Sequence, residues 1–318
     1  MIKNPPIIKK IVKEMGGSIE EIIPERGYFY IKLKGEKIFV SRKFKISRNV
    51  IVGGETTKFK DLTYAILKRN NLPTPKTVCF YETVKNPALR KKLSTLKFPI
   101  IVKDSEGSNS RGIFPNINTL KIAEDTIVKQ IKKFSKLIAQ EMVSGNEFRI
   151  LVLGNNIIGA LRLIPPRIVG DGKKTVLNLI KKKQKNTQRK TPLNSELNRI
   201  LREQAVSLKS IIKKGEIIYL RKSSSLDEGG ETEDVTEKVH TGIKNICLRA
   251  AKKVEKELVG IDIICDDVSK NPQKQSFNIL EINGKPDVYI HYNPTYGKTR
   301  DVVREIIEFI LKLRKNKV

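Results

Sequence analysis

The sequence contains no tryptophan, three cysteines, two histidines and only 6% aromatic residues. Cys79, Cys247 and Cys265 are odd in number and widely separated, which excludes both a disulfide framework and a zinc-finger spacing. They are expected to stay reduced and packed, as free cysteines commonly are. His240 and His291 have no serine, cysteine or carboxylate at a catalytic spacing, so neither is read as a general base. His291 is placed either at a substrate cleft or in support of the fold. No apolar run approaches the ~20 residues that cross a bilayer, and Lys3, Pro5 and Pro6 precede no apolar signal segment. A soluble, cytoplasmic protein with no membrane partner is expected. The few aromatics show no stacking pattern of the kind single-stranded nucleic acids exploit.

Positive charge is what the chain has in excess. Its 63 Lys and Arg face 34 Asp and Glu, a formal +29. The first reading is a solvated cationic surface in a Lys-, Ile- and Asn-rich composition. The second is a field that concentrates acidic substrates, and specific nucleic-acid binding is the least supported. At 318 residues and 39% hydrophobic, the chain can bury two or three domains. Residues 1–56 read as a small N-terminal lobe, with a strand where Tyr28, Tyr30 and Lys32 alternate with Phe29, Ile31 and Leu33, closed by Gly53 and Gly54. Residues 57–138 and 139–318 read as two further units. Asp61 is expected to cap a helix over 62–68, and Asn70, Asn71 and Pro73 to end it. Helices are also expected over 122–134, 241–258 and 302–313. Strands are expected over 78–80, 98–102, 148–153, 157–164, 217–220, 261–265 and 277–282. The polar run 181–190 reads as a mobile loop or exposed helix, and 223–230 as a second loop.

Three short constellations carry chemistry. In Ile279-Leu-Glu-Ile-Asn-Gly, Glu281 and Asn283 are two apart on a strand and so share a face, which Asp262 on the neighbouring strand also reaches. Two carboxylates and an amide oxygen are hard donors that suit Mg2+. In Phe98-Pro-Ile-Ile-Val-Lys103 a lysine leaves a buried strand, and Ser105 to Gly112 is a loop of small residues whose N–H groups can approach phosphate. It is no Walker A motif, because its lysine precedes the glycines. In Leu137-Ile-Ala-Gln-Glu-Met-Val-Ser-Gly-Asn-Glu147-Phe-Arg149, a short strand and turn, an apolar pocket edged by backbone donors suits adenine and a carboxylate a few residues on suits ribose hydroxyls, while the same segment also reads as a plain core strand and turn.

In order and spacing these segments resemble the ATP-grasp module of cyanophycin synthetases and bifunctional glutathione synthetases, over about residues 57–310. The resemblance also runs through Lys60-Asp-Leu-Thr, Leu72-Pro-Thr-Pro, Ile168-Val-Gly-Asp-Gly-Lys-Lys-Thr, Leu220-Arg221 with Gly229-Gly230, Asp234-Val-Thr and Gly297-Lys-Thr-Arg300. It implies an α+β fold, the ATP-grasp fold, whose two α+β subdomains hold ATP between them. It implies an ADP-forming carboxylate–amine ligase acting on amino acids or small peptides, with ATP and Mg2+, or Mn2+, as cofactors. Lys60 and Lys103 would contact phosphates beneath a loop containing Glu106, Gly107, Ser108 and Gly112. Gln140, Glu141, Met142 and Val143 would frame adenine, and Glu147 would bind ribose. Asp262, Glu281 and Asn283 would hold the metal, and Arg221, or else Arg162, would meet the transferred phosphoryl group. The family's Asn-Leu-Ser-Thr-Gly-Gly stands here as Ser225-Leu-Asp-Glu-Gly-Gly230, which puts Asp227 and Glu228 beside the expected reaction centre and leaves the substrates open. The alternative is a non-catalytic or nucleic-acid-binding basic protein that retains the fold. A homo-oligomer is left open.

Overall fold

The structure is a computed structural model, and it describes residues 5–23, 28–40, 56–81, 86–107, 112–134, 136–185 and 190–315. The expected breaks at Gly53 and Gly54 lie outside these residues, as do Ser108 and part of the polar run 181–190.

The N-terminal lobe is a helix, α1 (Pro5–Glu14), on an antiparallel sheet of β1 (Ser18–Ile23), β2 (Tyr28–Leu33) and β3 (Glu36–Val40). Its apolar face is not self-contained. Ile8, Ile11, Val12, Phe29 and Ile31 share one core with Val302, Val303, Ile306 and Ile307 of the last helix.

A second unit follows α2 (Lys60–Arg69), which ends at Asn70 with Asn71 in the left-handed region at φ 52°. Its four-stranded antiparallel sheet has the order β4 (Thr77–Tyr81), β7 (Lys136–Glu141), β5 (Ile100–Asp104), β6 (Ile113–Ile117). The helices α3 (Asn86–Leu93) and α4 (Leu120–Phe134) cover it through Leu89, Leu93, Ala123 and Ile127. Strand β7 runs through the division expected at 138/139, since Gln140 still pairs with Thr77 and Ile101.

The third unit is a five-stranded antiparallel sheet, ordered β12 (Glu231–Asp234), β9 (Asn156–Ile164), β8 (Asn146–Leu153), β13 (Leu258–Cys265), β14 (Phe277–Asn283). One face carries Phe148, Ile150, Ile261 and Ile263 against α7 (Thr241–Lys253). The other carries Leu151, Leu153 and Leu258 against α8 (Tyr289–Tyr292) and α9 (Val302–Lys315). Residues 166–220 leave this sheet as an excursion with its own small core: the ribbon β10 (Arg167–Val169) and β11 (Ile217–Tyr219), packed on α5 (Val176–Lys185) and α6 (Ser195–Glu203).

Candidate active site

The metal-type triad assembles from strand register alone. Asp262 pairs directly with Glu281, and Gly260 with Asn283, so the three side chains meet on one face. Asp262 is also directly opposite Arg149 of β8. Arg149 clamps it in a two-point bond, Nε to Oδ1 at 2.6 Å and an Nη to Oδ2 at 2.8 Å, while the Asn283 amide donates to Oδ2 at 3.1 Å. Burial opposes the Arg149 charge, but Asp262 more than offsets this and holds the guanidinium above its ordinary pKa. The sequence reading passed over Arg149. A signal for it existed, because Arg149 lies two residues from Glu147 and therefore shares its strand face.

Two lysines approach the same acids, Lys103 from β5 of the other sheet and Lys60 from the start of α2. Lys103 leaves β5 and donates to the Gln140 Oε1 at 3.0 Å, and the Gln140 amide donates onward to Thr77 at 2.9 Å. Burial pulls the Lys103 pKa down; the nearby Glu281 opposes that shift and Lys60 adds to it. Lys60 donates to the Gly107 carbonyl and stands 3.9 Å from the Glu281 carboxylate. Lys60, Tyr64, Lys103, Gln140 and Glu281 thus line one cleft between the two sheets. Lys60 opens α2, where Phe59 occupies the cap position without a side-chain bond. The cap expected of Asp61 is therefore corrected: its carboxylate lies inside the first turn, accepting from Ser105 Oγ at 2.6 Å and Tyr81 OH at 3.1 Å.

The remaining expected residues fall around this cleft with differing fit. Glu106 is paired with Lys136 at 3.2 Å. Gly112 closes the base of its loop at φ +69°, where an added Cβ would stand 2.8 Å from that of Asp104. Gln140 and Glu141 end β7, Met142 N–H donates to Pro99 O at 3.1 Å, and Glu141 accepts from Lys97 N–H at 2.8 Å. Val143 lies in the connection to β8. Glu147 faces the site and accepts from Ser224, which ties the 223–230 segment to it. Arg221 is 1% exposed, and its two Nη groups donate to Leu220 O, Pro192 O and Asn194 Oδ1. Its Nε stands 3.5 Å from Glu228, an ion-pair contact without hydrogen-bond geometry. The acidic departure thus meets the arginine itself. Arg162 pairs with Phe148, so it lies on the opposite face from Arg149 and bonds Asn146 at 2.8 Å. The structure does not bring it to the triad.

His291 is fully buried, with neither ring nitrogen hydrogen-bonded. Burial, reinforced by Arg149, pushes its pKa down to about 3. Its ring presses on Gly159, where a Cβ would come within 2.7 Å of Nδ1. Of the two readings, support of the fold is the one this burial favours.

A solved bifunctional glutathione synthetase from Pasteurella multocida superposes on 98% of this chain and 44% of its own, with a TM-score of 0.74 at 19% identity. The fold is ATP-grasp. Residues 57–172 match the RimK-like ATP-grasp domain, a match that stops short of Arg221 and the triad. The ATP-grasp chain is 30% identical over 306 residues to the bifunctional glutathione biosynthesis protein of Clostridium perfringens, covering 92% of this chain and 39% of that protein. It is 28% identical over 264 residues to the cyanophycin synthetase of Crocosphaera subtropica, covering 79% of this chain and 30% of that one. The chain therefore spans less than two fifths of either relative's length.

Proposed function

We propose that this ATP-grasp protein is a carboxylate–amine ligase that makes an amide or peptide bond through an acyl phosphate, consuming ATP. The observation that carries the reading is a cleft between two sheets lined by Lys60, Lys103 and Glu281, with Asp262 paired to Glu281 by strand register and bonded to Arg149 and Asn283 beside it. Lys60 and Lys103 bind the phosphates, residues 140–143 frame adenine, and Glu147 binds ribose. The donor set of the triad, two carboxylates and an amide oxygen, suits a hard divalent cation; Glu281 has only Lys60, at 3.9 Å, as an ion-pair partner among the described residues, and Asp262 would exchange its Arg149 and Asn283 bonds for the ion. Asp262, Glu281 and Asn283 would hold Mg2+, or Mn2+ in its place, and the ion supplies neutralisation of phosphate charge.

The substrate carboxylate attacks the γ-phosphorus, ADP leaves, and an amine then attacks the acyl carbon and expels phosphate. Little acid–base chemistry is needed, because positioning and charge neutralisation dominate such transfers. Arg149, once released from Asp262, is better placed than Arg162 to steady the acyl phosphate, and a guanidinium suits that planar anion. Arg221 holds the 190–230 segment beside the site. The relatives' names support amino-acid or peptide substrates, and the +29 charge supports an acidic one. We place the enzyme in the cytoplasm, where ATP is abundant. Screening amino acids and dipeptides for substrate-dependent ADP release tests the proposal. A salt-dependent shift with DNA or RNA, with no ADP release from any substrate, would replace it by the nucleic-acid alternative.

A further inference from the structure

The Ile168-Val-Gly-Asp-Gly-Lys-Lys-Thr segment takes no part in the chemistry above, yet it builds the most unusual surface of the molecule. From Arg167 to Leu220 the chain holds 14 Lys and Arg against four Asp and Glu, a net +10 on 54 residues. The other 264 residues carry the remaining +19. The excursion's charge density is thus more than twice that of the rest of the chain. The same stretch holds Val169, Leu193, Ile211, Ile217 and Tyr219, five of the twelve large apolar side chains exposed among the described residues.

The two properties meet at one end of the ribbon. Val169 pairs with Ile217 on its outer face, and their inner neighbours Ile168 and Ile218 are buried. The turns before β11 and after β10 are locked together: Thr175 bridges Ile211, and a Cβ on Gly170 would lie 2.1 Å from the Lys213 carbonyl. This close approach brings Lys173 and Lys174 beside Lys213 and Lys214. Asp171 is spent on the turn, accepting from the backbone N–H of Lys173 and Lys174 and from the Lys174 ammonium. Ile211, the most exposed at 60%, and Val169 at 52% lie on the same two paired segments as these lysines. Glu216 is the remaining acid there.

We infer that this ribbon tip docks an acidic polypeptide segment that carries apolar side chains between its carboxylates. Exposed aliphatic side chains rimmed by charge mark protein contacts. Nucleic acid would use the lysines but leave Val169, Ile211 and Ile217 with nothing to stack on them. A second copy of the chain meeting it tip to tip would present the same positive charge and repel it. The partner's role as a substrate rests on the ligase reading; its binding does not.

The test is fluorescence anisotropy with a labelled decapeptide alternating Glu with Val or Leu, in the absence of ATP. The comparisons are the same peptide with Ser at its apolar positions, and an oligothymidylate of equal charge. Lys173→Glu/Lys213→Glu/Lys214→Glu and Ile211→Ser/Ile217→Thr should each weaken the decapeptide at least tenfold, and leave binding of a fluorescent ATP analogue unchanged. The Ser peptide should bind at least fivefold more weakly than its parent. Equal binding of the decapeptide by wild type and both variants overturns the inference, as does tighter binding of the oligonucleotide. Docking without ADP release from any peptide would keep the surface and remove the ligase reading.

Discussion

His291 makes a sharp prediction because the chain has only two histidines, so little else titrates between pH 7 and 4.5 except carboxylates. The ring is fully buried, and its pKa falls from 6.5 to about 3, with burial the main cause and Arg149 the next. As pH drops, the unfolded chain takes up this proton first. Stability from this group is therefore complete above about pH 6.5 and is lost progressively as pH falls toward 3. With those two values, acidification from pH 7 to 4.5 should cost about 2–3 kcal/mol at this site. Neither Gln nor Phe titrates there. Urea unfolding at both pH values should show wild type losing about 2–3 kcal/mol more than His291→Gln, the carboxylate contribution cancelling in the difference. His291→Phe, which puts carbon where two unpartnered polar atoms now lie, serves as the second variant. If wild type and both variants lost the same stability on acidification, within about 0.5 kcal/mol, the buried neutral imidazole would be refuted.

The other expectations concern the cleft. Lys103→Ala should weaken a non-hydrolysable ATP analogue by about 1–3 kcal/mol in calorimetric titration, the range of a charged hydrogen bond, and unchanged affinity would take Lys103 out of the phosphate site. Arg149→Met strands the Asp262 charge, and since that carboxylate is 18% exposed the folding cost should fall near 2–3 kcal/mol, with adding Asp262→Asn restoring part of it. A fully additive double mutant would show that the two do not act as a pair. Glu281→Gln should leave a folded protein whose Mn2+ affinity, followed by electron paramagnetic resonance, falls together with ADP release; unaltered metal binding would place the ion elsewhere.

Segments whose own side chains alternate or repeat were legible in the sequence. The β8–β9 hairpin, the β13–β14 pair and α9 all show an apolar period that survives into the structure. Strand β12 was not legible, because Glu231-Thr-Glu-Asp has no apolar alternation; register with β9 and ion pairs from Glu231 to Lys183 and Arg167 hold it. Helix α5 was half legible: its lysines at 181–185 read as a loop or an exposed helix, and they form the exposed end of a helix that buries Val176, Leu179 and Ile180. Helix α7 was drawn too long, since Val254 and Leu258 continue its apolar period while the backbone turns at Glu255, φ 55°. At the site, the shared face of Glu281 and Asn283 was readable from their two-residue spacing, and Asp262 from the expected pairing of the neighbouring strand. The Arg149 bond to Asp262 was not, because it joins residues 113 apart, and only tertiary register decides that Arg149 rather than Arg162 faces the acids.

The shared core of α1, β2 and α9 has a consequence for synthesis on the ribosome. Arg304 bonds Glu14 across 290 residues, so at about 5–20 residues per second the apolar side of the first lobe waits roughly 15–60 s for its natural cover. During that interval Ile8, Ile11 and Phe29 belong to an unfinished surface. A ribosome stalled between Asn283 and Val302 would carry a chain whose acidic triad and lysines have all been synthesised but whose first lobe is still uncapped, which makes that lobe a natural target for chaperones and proteases that act on nascent chains.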